Sequence, residues 1–159
     1  MPDSNSVEIL INYFSNILDD YTSETIQAGV VNEEFGYYQL KSLPIYAPGL
    51  AIDDVVWAQY KATESMLVYR KTVEHSGNST IHAVVLNDLN DPDVMIGLFE
   101  NAGCLIKKLN AKYFVIGIPS SIQYIPIKSL LDELKRKKVL DYAESCLSNK
   151  HQYKNISMP

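Results

Sequence analysis

Leu43-Pro44-Ile45-Tyr46-Ala47-Pro48-Gly49-Leu50-Ala51-Ile52-Asp53-Asp54-Val55-Val56-Trp57 is the stretch on which the fold of this chain turns. Pro44 and Pro48 fix φ and remove backbone donors, Gly49 permits a sharp bend, and Asp53-Asp54 mark the turn into the β-forming Val55-Val56-Trp57. A loop that delivers a strand in this way predicts β structure on both sides of it. Residues 55–62 and 66–73 read as two strands joined by Thr63-Glu64-Ser65, and the polar turn Ser76-Gly77-Asn78-Ser79-Thr80 leads into a third. Upstream, residues 25–31 and 36–40 flank Asn32-Glu33-Glu34, a short hairpin turn in which Asn tolerates positive φ and the acids prefer water. Short strands at this spacing predict a small, strongly bent antiparallel sheet or barrel over residues 24–80.

Further out, Val7, Leu10, Ile11, Phe14, Ile17 and Leu18 recur at helical spacing behind Asn5 or Ser6 as N-cap. That pattern predicts an N-terminal helix within residues 1–23. Downstream of the turn, residues 81–86 are β-forming, with His82 among them. Asp91-Pro92 then opens a helix, with Asp91 as N-cap and Pro92 at the first helical position, and Gly103 closes it with a left-handed residue. Residues 104–109 and 113–118 read as strands, and Ile127, Leu130, Leu131, Leu134, Val139 and Leu140 give residues 125–142 a helical pattern that breaks near Lys138. Strand, helix, strand, strand, helix is the order of a ferredoxin-like half short of one strand, so residues 81–147 are expected to form such a half. The chain as a whole is expected to be α+β, with the two halves packed as one body and residues 148–159 a disordered tail.

Composition narrows the function classes. With 159 residues, 47% of them hydrophobic, the chain can bury a sizeable core, which excludes a disordered polypeptide. The net charge of −5 hides a split, because residues 1–100 hold four Lys/Arg against fifteen Asp/Glu, a net of −11, while residues 101–159 are net +6. An acidic leading portion repels nucleic acid and attracts basic partners. Cys104 and Cys146 stand alone, without zinc-site spacing, and read as reduced thiols. No basic start followed by an unbroken apolar run is visible, so the expectation is a bacterial cytoplasmic protein without a membrane span.

Gly36-Tyr37-Tyr38-Gln39-Leu40, Leu43-Pro44-Ile45-Tyr46-Ala47, Gly49-Leu50-Ala51, Asp53-Asp54-Val55-Val56 and Ser76-Gly77-Asn78-Ser79-Thr80-Ile81, followed more weakly by Gly103-Cys104 and Pro119, resemble a family of small bacterial proteins. It carries the number four-two-six-five in the domain-of-unknown-function series. The resemblance covers roughly residues 24–146 and leaves the N-terminal segment outside. Ile52-Asp53-Asp54 departs from the family pattern, which has Gly directly before the second of these acids. Members of such families often sit beside secreted-toxin genes as immunity proteins, so the resemblance implies toxin inhibition through protein binding, with no mechanism attached.

Among the residues themselves, Ser76, Asn78, Ser79 and Thr80 form a possible ligand turn, since Gly77 between them could aim backbone N–H groups at an anion. No phosphate-binding Lys and no helix follow at the spacing a phosphate loop needs. Glu74 and His75 are adjacent, so on a strand they point to opposite faces and cannot both serve Ser76 or Ser79 as a catalytic triad. His75, His82 and His151 lack metal-ligand spacing, and no metal or cofactor is expected. Tyr37, Tyr38, Tyr46, Tyr60 and Tyr69 all fall in the barrel-like half, and tyrosine supplies rigid contact area with a polar tip. The sequence thus points to a non-enzymatic immunity-type protein that occludes a basic toxin domain, using Glu33, Glu34, Tyr46, Asp53, Asp54 and Glu64. A nucleic-acid-binding regulator using Lys107, Lys108, Lys112 and Lys135-Arg136-Lys137-Lys138 is one alternative, and a small-molecule or phosphate binder at residues 76–80 is the other.

Overall fold

In the computed structural model, which describes residues 6–16 and 18–153, the chain begins with a strand, β1 (Ser6–Ser15), instead of the expected helix. Val7, Leu10, Ile11 and Phe14 do have helical spacing, but Val7, Ile9, Ile11 and Tyr13 also alternate, and they line one face of β1. Alternation prevails because strands are available to pair on both edges of β1, which a propensity argument on the isolated segment cannot know. The expected N-cap Asn5 and stripe residue Ile17 lie outside the described residues.

The backbone divides into two units, one ending at Ser76 and the other starting at Gly77. In the first, β1 is followed by β2 (Asp20–Asn32), β3 (Tyr37–Leu40), β4 (Val55–Lys61) and β5 (Met66–Glu74), which close into a five-stranded barrel in chain order. Five strands alternating in direction must leave one parallel seam, and here it is β1 with β5, at Ile9 opposite Leu67 and Leu10 opposite Val68. Ile9, Ile11, Ile26, Ala28, Leu40, Val56 and Ala58 fill the interior, and Ala47 and Leu50 of the proline loop enter the same core. Gly36, at φ 75°, closes the β2–β3 turn where a Cβ would stand 2.9 Å from the Ala58 carbonyl oxygen, so no other residue fits without movement. This register places the turns at 33–36 and 62–65 at one end of the barrel. The β1–β2 connection and the 41–54 loop lie at the other.

The second unit runs β6 (Ser79–Val85), α1 (Pro92–Asn101), β7 (Leu105–Asn110), β8 (Tyr113–Ile118), α2 (Tyr124–Arg136) and β9 (Leu140–Cys146). Its antiparallel sheet has the order β7-β8-β6-β9. The sequence reading gave residues 125–142 a helical pattern broken near Lys138; α2 does stop there, and Leu140 and Tyr142 beyond the break belong to β9. Lys138 takes φ 59° and the Val139 N–H donates to the Leu134 carbonyl, a left-handed helix stop built without the usual glycine. α1 begins as expected, with Asp91 Oδ1 accepting from the Asp93 N–H and Pro92 in the first turn. Ile81, Ala83, Phe114, Ile116 and Ile118 share one sheet face with Met95, Ile96 and Phe99 of α1 and Ile127 and Leu131 of α2, so both helices cover the same side. The expected disordered tail is ordered through Tyr153, with a 3-10 turn at Asn149–His151 whose His151 is buried; residues 154–159 lie outside the described residues. The protein is α+β: mostly strand, with two α-helices among the described residues.

Candidate functional site

At the loop end of the barrel, β2 turns Glu24 inward, one step along the same face from Ile26. Its carboxylate accepts three consecutive backbone N–H groups, Ile45 at 2.7 Å on Oε2 and Tyr46 and Ala47 at 3.0 and 2.8 Å on Oε1. Three amides converging on one anion form the kind of nest that binds free anions elsewhere, and here the chain fills it itself. Tyr13, on the neighbouring strand, has its hydroxyl pKa raised, first by burial and then by the Glu24 charge and Tyr46. Asp54 does similar work at the far side of the loop. It is 1% exposed and accepts the Ala51 N–H at 3.0 Å and the Ser76 N–H at 2.8 Å, with the His75 ring 3.9 Å away. Two carboxylates therefore pin residues 45–54 from both ends.

This arrangement sorts the five acids and one tyrosine expected to contact a partner. Asp54 leaves the set, because a carboxylate that is buried and committed to two amides cannot meet another molecule. Tyr46, 51% exposed, and the exposed Asp53, held at φ 71°, are presented on the pinned loop. Glu33, Glu34 and Glu64 are exposed too, but they sit in the turns at the opposite end of the barrel, so the six do not form one face. Glu24 was missed by the sequence reading. Its signal is an acid at an inward position of an alternating strand, visible only once the register of β2 is known.

Along the Ser76–Thr80 turn, Ser76, Asn78 and Ser79 each engage groups of their own unit. In the first unit the Ser76 hydroxyl donates to the Ile52 carbonyl at 2.8 Å, tying it to the loop. In the second, Asn78 Oδ1 accepts the Ser120 N–H, while Ser79 and Thr80 are fully buried at the start of β6. Ser79 Oγ lies 2.6 Å from His151 Nδ1, and His151 Nε2 is 3.1 Å from the carbonyls of both Pro119 and Ile122. Carbonyls only accept, so Nε2 carries the proton and Nδ1 accepts from the serine, whose oxygen accepts the Ser148 N–H. The pair has the elements of a nucleophile and base, yet with both residues buried it latches the chain after β9 onto the sheet. His151, read from sequence as part of a disordered tail, is thus a structural residue.

The second unit also holds a tyrosine-rich polar cluster between α2 and β9. Tyr124 and Tyr153 donate to the two oxygens of Glu144 at 2.5 and 2.8 Å, Lys128 donates to Tyr142 at 2.9 Å, and the Tyr142 hydroxyl donates to Asp132. The Lys128 ammonium lies 4.6 Å from the Tyr153 ring centroid. Burial lowers the Lys128 pKa, but its bonds to Tyr142 and Tyr153 outweigh it and hold the group well above its ordinary value. Burial and the Asp132 bond push Tyr142 up to about 12. A Lys128 that stays charged and a Tyr142 that stays neutral cross-link helix and strand; the two are poorly tuned for proton transfer near pH 7. Among the described residues no three His, Cys, Asp or Glu side chains come together as metal ligands, and no helix is long and apolar enough to cross a membrane.

Fold and site together define an α+β protein in which a five-stranded barrel presents a pinned loop and a separate sheet carries two helices on one side. Residues 24–142 match the family described as "Domain of unknown function (DUF4265)", and the chain belongs to that family. Among solved structures it is similar to one titled "Novel crystal structure of a hypothetical protein from Neisseria gonorrhoeae", at 23% identity, with 90% of this chain and 96% of that chain covered and a TM-score of 0.78. That likeness concerns the fold alone. No curated protein matches the chain.

Proposed function

We propose that this chain is a cytoplasmic protein-binding protein of the immunity type, which neutralises a basic toxin domain by occluding its active surface without performing catalysis. The observation that carries the reading is the double anchoring of the 45–54 loop by Glu24 and Asp54. A loop already held in place loses little conformational freedom on binding, so the exposed Tyr46 and Asp53 meet a partner at low entropic cost. Eleven Asp/Glu against four Lys/Arg up to residue 76 favour a cationic partner. The strand order of the second unit supports reading it as a ferredoxin-like body, with β9 as the strand the sequence pattern lacked.

The test is titration of the chain against a toxin domain encoded beside its gene, with cell survival on toxin expression as the second readout. Tyr46→Ala and Asp53→Asn are expected to weaken binding together by about tenfold or more, and Asp53→Asn to reduce its salt dependence. Full affinity in both variants, or no protection by the wild type, refutes the reading.

A further inference from the structure

We infer that the docking anchor is the free end of the β1–β2 ribbon, where Phe14, Leu18 and Tyr21 stand beside Asp19 and Asp20, and that it seats in an apolar socket bordered by Lys or Arg on a partner protein. This rests on the docking reading above and names the element responsible. Among the described residues β5 pairs with β1 at Ile9 and Leu10 and β3 pairs with β2 from Ala28 onward, so the backbones of residues 11–15 and 20–25 form ladder pairs with each other, and Glu24 ties the base of this ribbon to the 45–47 loop. On the outer side of this ribbon Phe14 lies opposite Tyr21 in an edge-to-face pair, with centroids 5.3 Å apart, and the two are 44% and 75% exposed. Leu18, near the tip, is 64% exposed.

Beyond the Glu24 anchor a two-stranded end is marginal in water, and the exposed Phe14, Leu18 and the ring of Tyr21 gain by being covered. Open strand edges are usually guarded by lysine. Here no Lys or Arg occurs before Lys41, while the first forty residues carry seven Asp/Glu. Glu24 is committed to the loop, but Asp19 and Asp20 are exposed at the tip. An aromatic anchor with an anionic border complements a cationic rim around an apolar pocket, and it disfavours the same ribbon of a second copy and nucleic acid alike.

The experiment places the photoreactive residue p-benzoylphenylalanine at Tyr21, Tyr46 or Phe35 of the full chain, the last at the opposite end of the barrel, and cross-links in the source cells. Each captured protein is then produced and titrated with the wild type and variants. Expected is capture of a basic protein from position 21, with Phe14→Ser and Tyr21→Ser each weakening its binding at least about tenfold. Asp19→Asn with Asp20→Asn is expected to flatten the salt dependence with the fold kept, since Asn tolerates the left-handed φ of 51° at residue 19 and retains the acceptor that Asp20 Oδ1 offers the Tyr21 N–H. Capture of a second copy, a nucleic acid or an acidic protein, or unchanged affinity in the serine variants, overturns the inference. Capture from positions 46 or 35 alone overturns the ribbon and leaves docking standing, whereas no capture at any position brings down both.

Discussion

Replacing Glu24 by alanine removes the acceptor of three backbone N–H groups at once. The Tyr46 N–H is on the exposed side and is rehydrated, but those of Ile45 and Ala47 are partly buried, and each loses a charge-assisted bond worth about 1–3 kcal/mol. The barrel unit should therefore lose about 2–6 kcal/mol, a large share of the roughly 5–15 kcal/mol that a domain has. With a urea slope of about 2 kcal/mol/M, the unfolding midpoint falls by about 1–3 M. Trp57, the single tryptophan, lies on β4 opposite Tyr37, so its fluorescence reports on this unit. Glu24→Gln keeps one acceptor oxygen and should lose about half as much, while Glu33→Ala in the exposed turn should stay within about 0.5 kcal/mol of wild type. A Glu24→Ala midpoint indistinguishable from that of Glu33→Ala would refute the claim that this carboxylate holds the loop.

Asp54→Ala leaves the Ala51 and Ser76 amides without their buried carboxylate and should cost about 2–4 kcal/mol in the same assay. Lys138→Gly relieves a left-handed residue after α2 and should raise stability by about 0.5–1 kcal/mol, read by calorimetry; a loss instead would mean that the lysine side chain contributes more than its backbone costs. Burial pushes the Cys104 thiol up to about 11 from 9.0, so its neutral form is favoured in the folded state. Stability from this site is present below pH 9 and is lost as pH rises to about 11, and a Cys104→Val variant should lose less over that window; parallel curves for the two proteins would contradict this. At pH 8, Cys104 should resist alkylation in the native protein and react in urea, as measured by mass spectrometry.

The barrel was legible where turn chemistry punctuates it: Asn32, Gly36 and the Pro44-to-Asp54 loop bound strands that lie within a residue or two of their expected limits from β3 to β5. Asp91-Pro92 and Gly103 marked both ends of α1 for the same local reason. Two elements were misread where local signals are ambiguous. β1 satisfies both periodicities, and past the break read near Lys138 the residues Val139 and Leu140 continue the helical spacing, so nothing in the sequence distinguished β9 from more helix. At the site, exposure of Tyr46 and Asp53 followed from loop composition, but the roles of Glu24, Asp54 and His151 did not.

What the amino-acid sequence determined alone is what depends on neighbours along the chain: turns, caps, alternating strands, an acidic first half and a chain rich enough in apolar residues to fold. Only tertiary structure decided which carboxylates face water. Glu24 reaches residues 45–47 across 21 to 23 positions and His151 reaches Ser79 across 72, and such partners are set by strand register and sheet order. An acid satisfied by distant amides and an acid free to meet a partner are the same letter in a sequence, and burial separates them only after the barrel has closed.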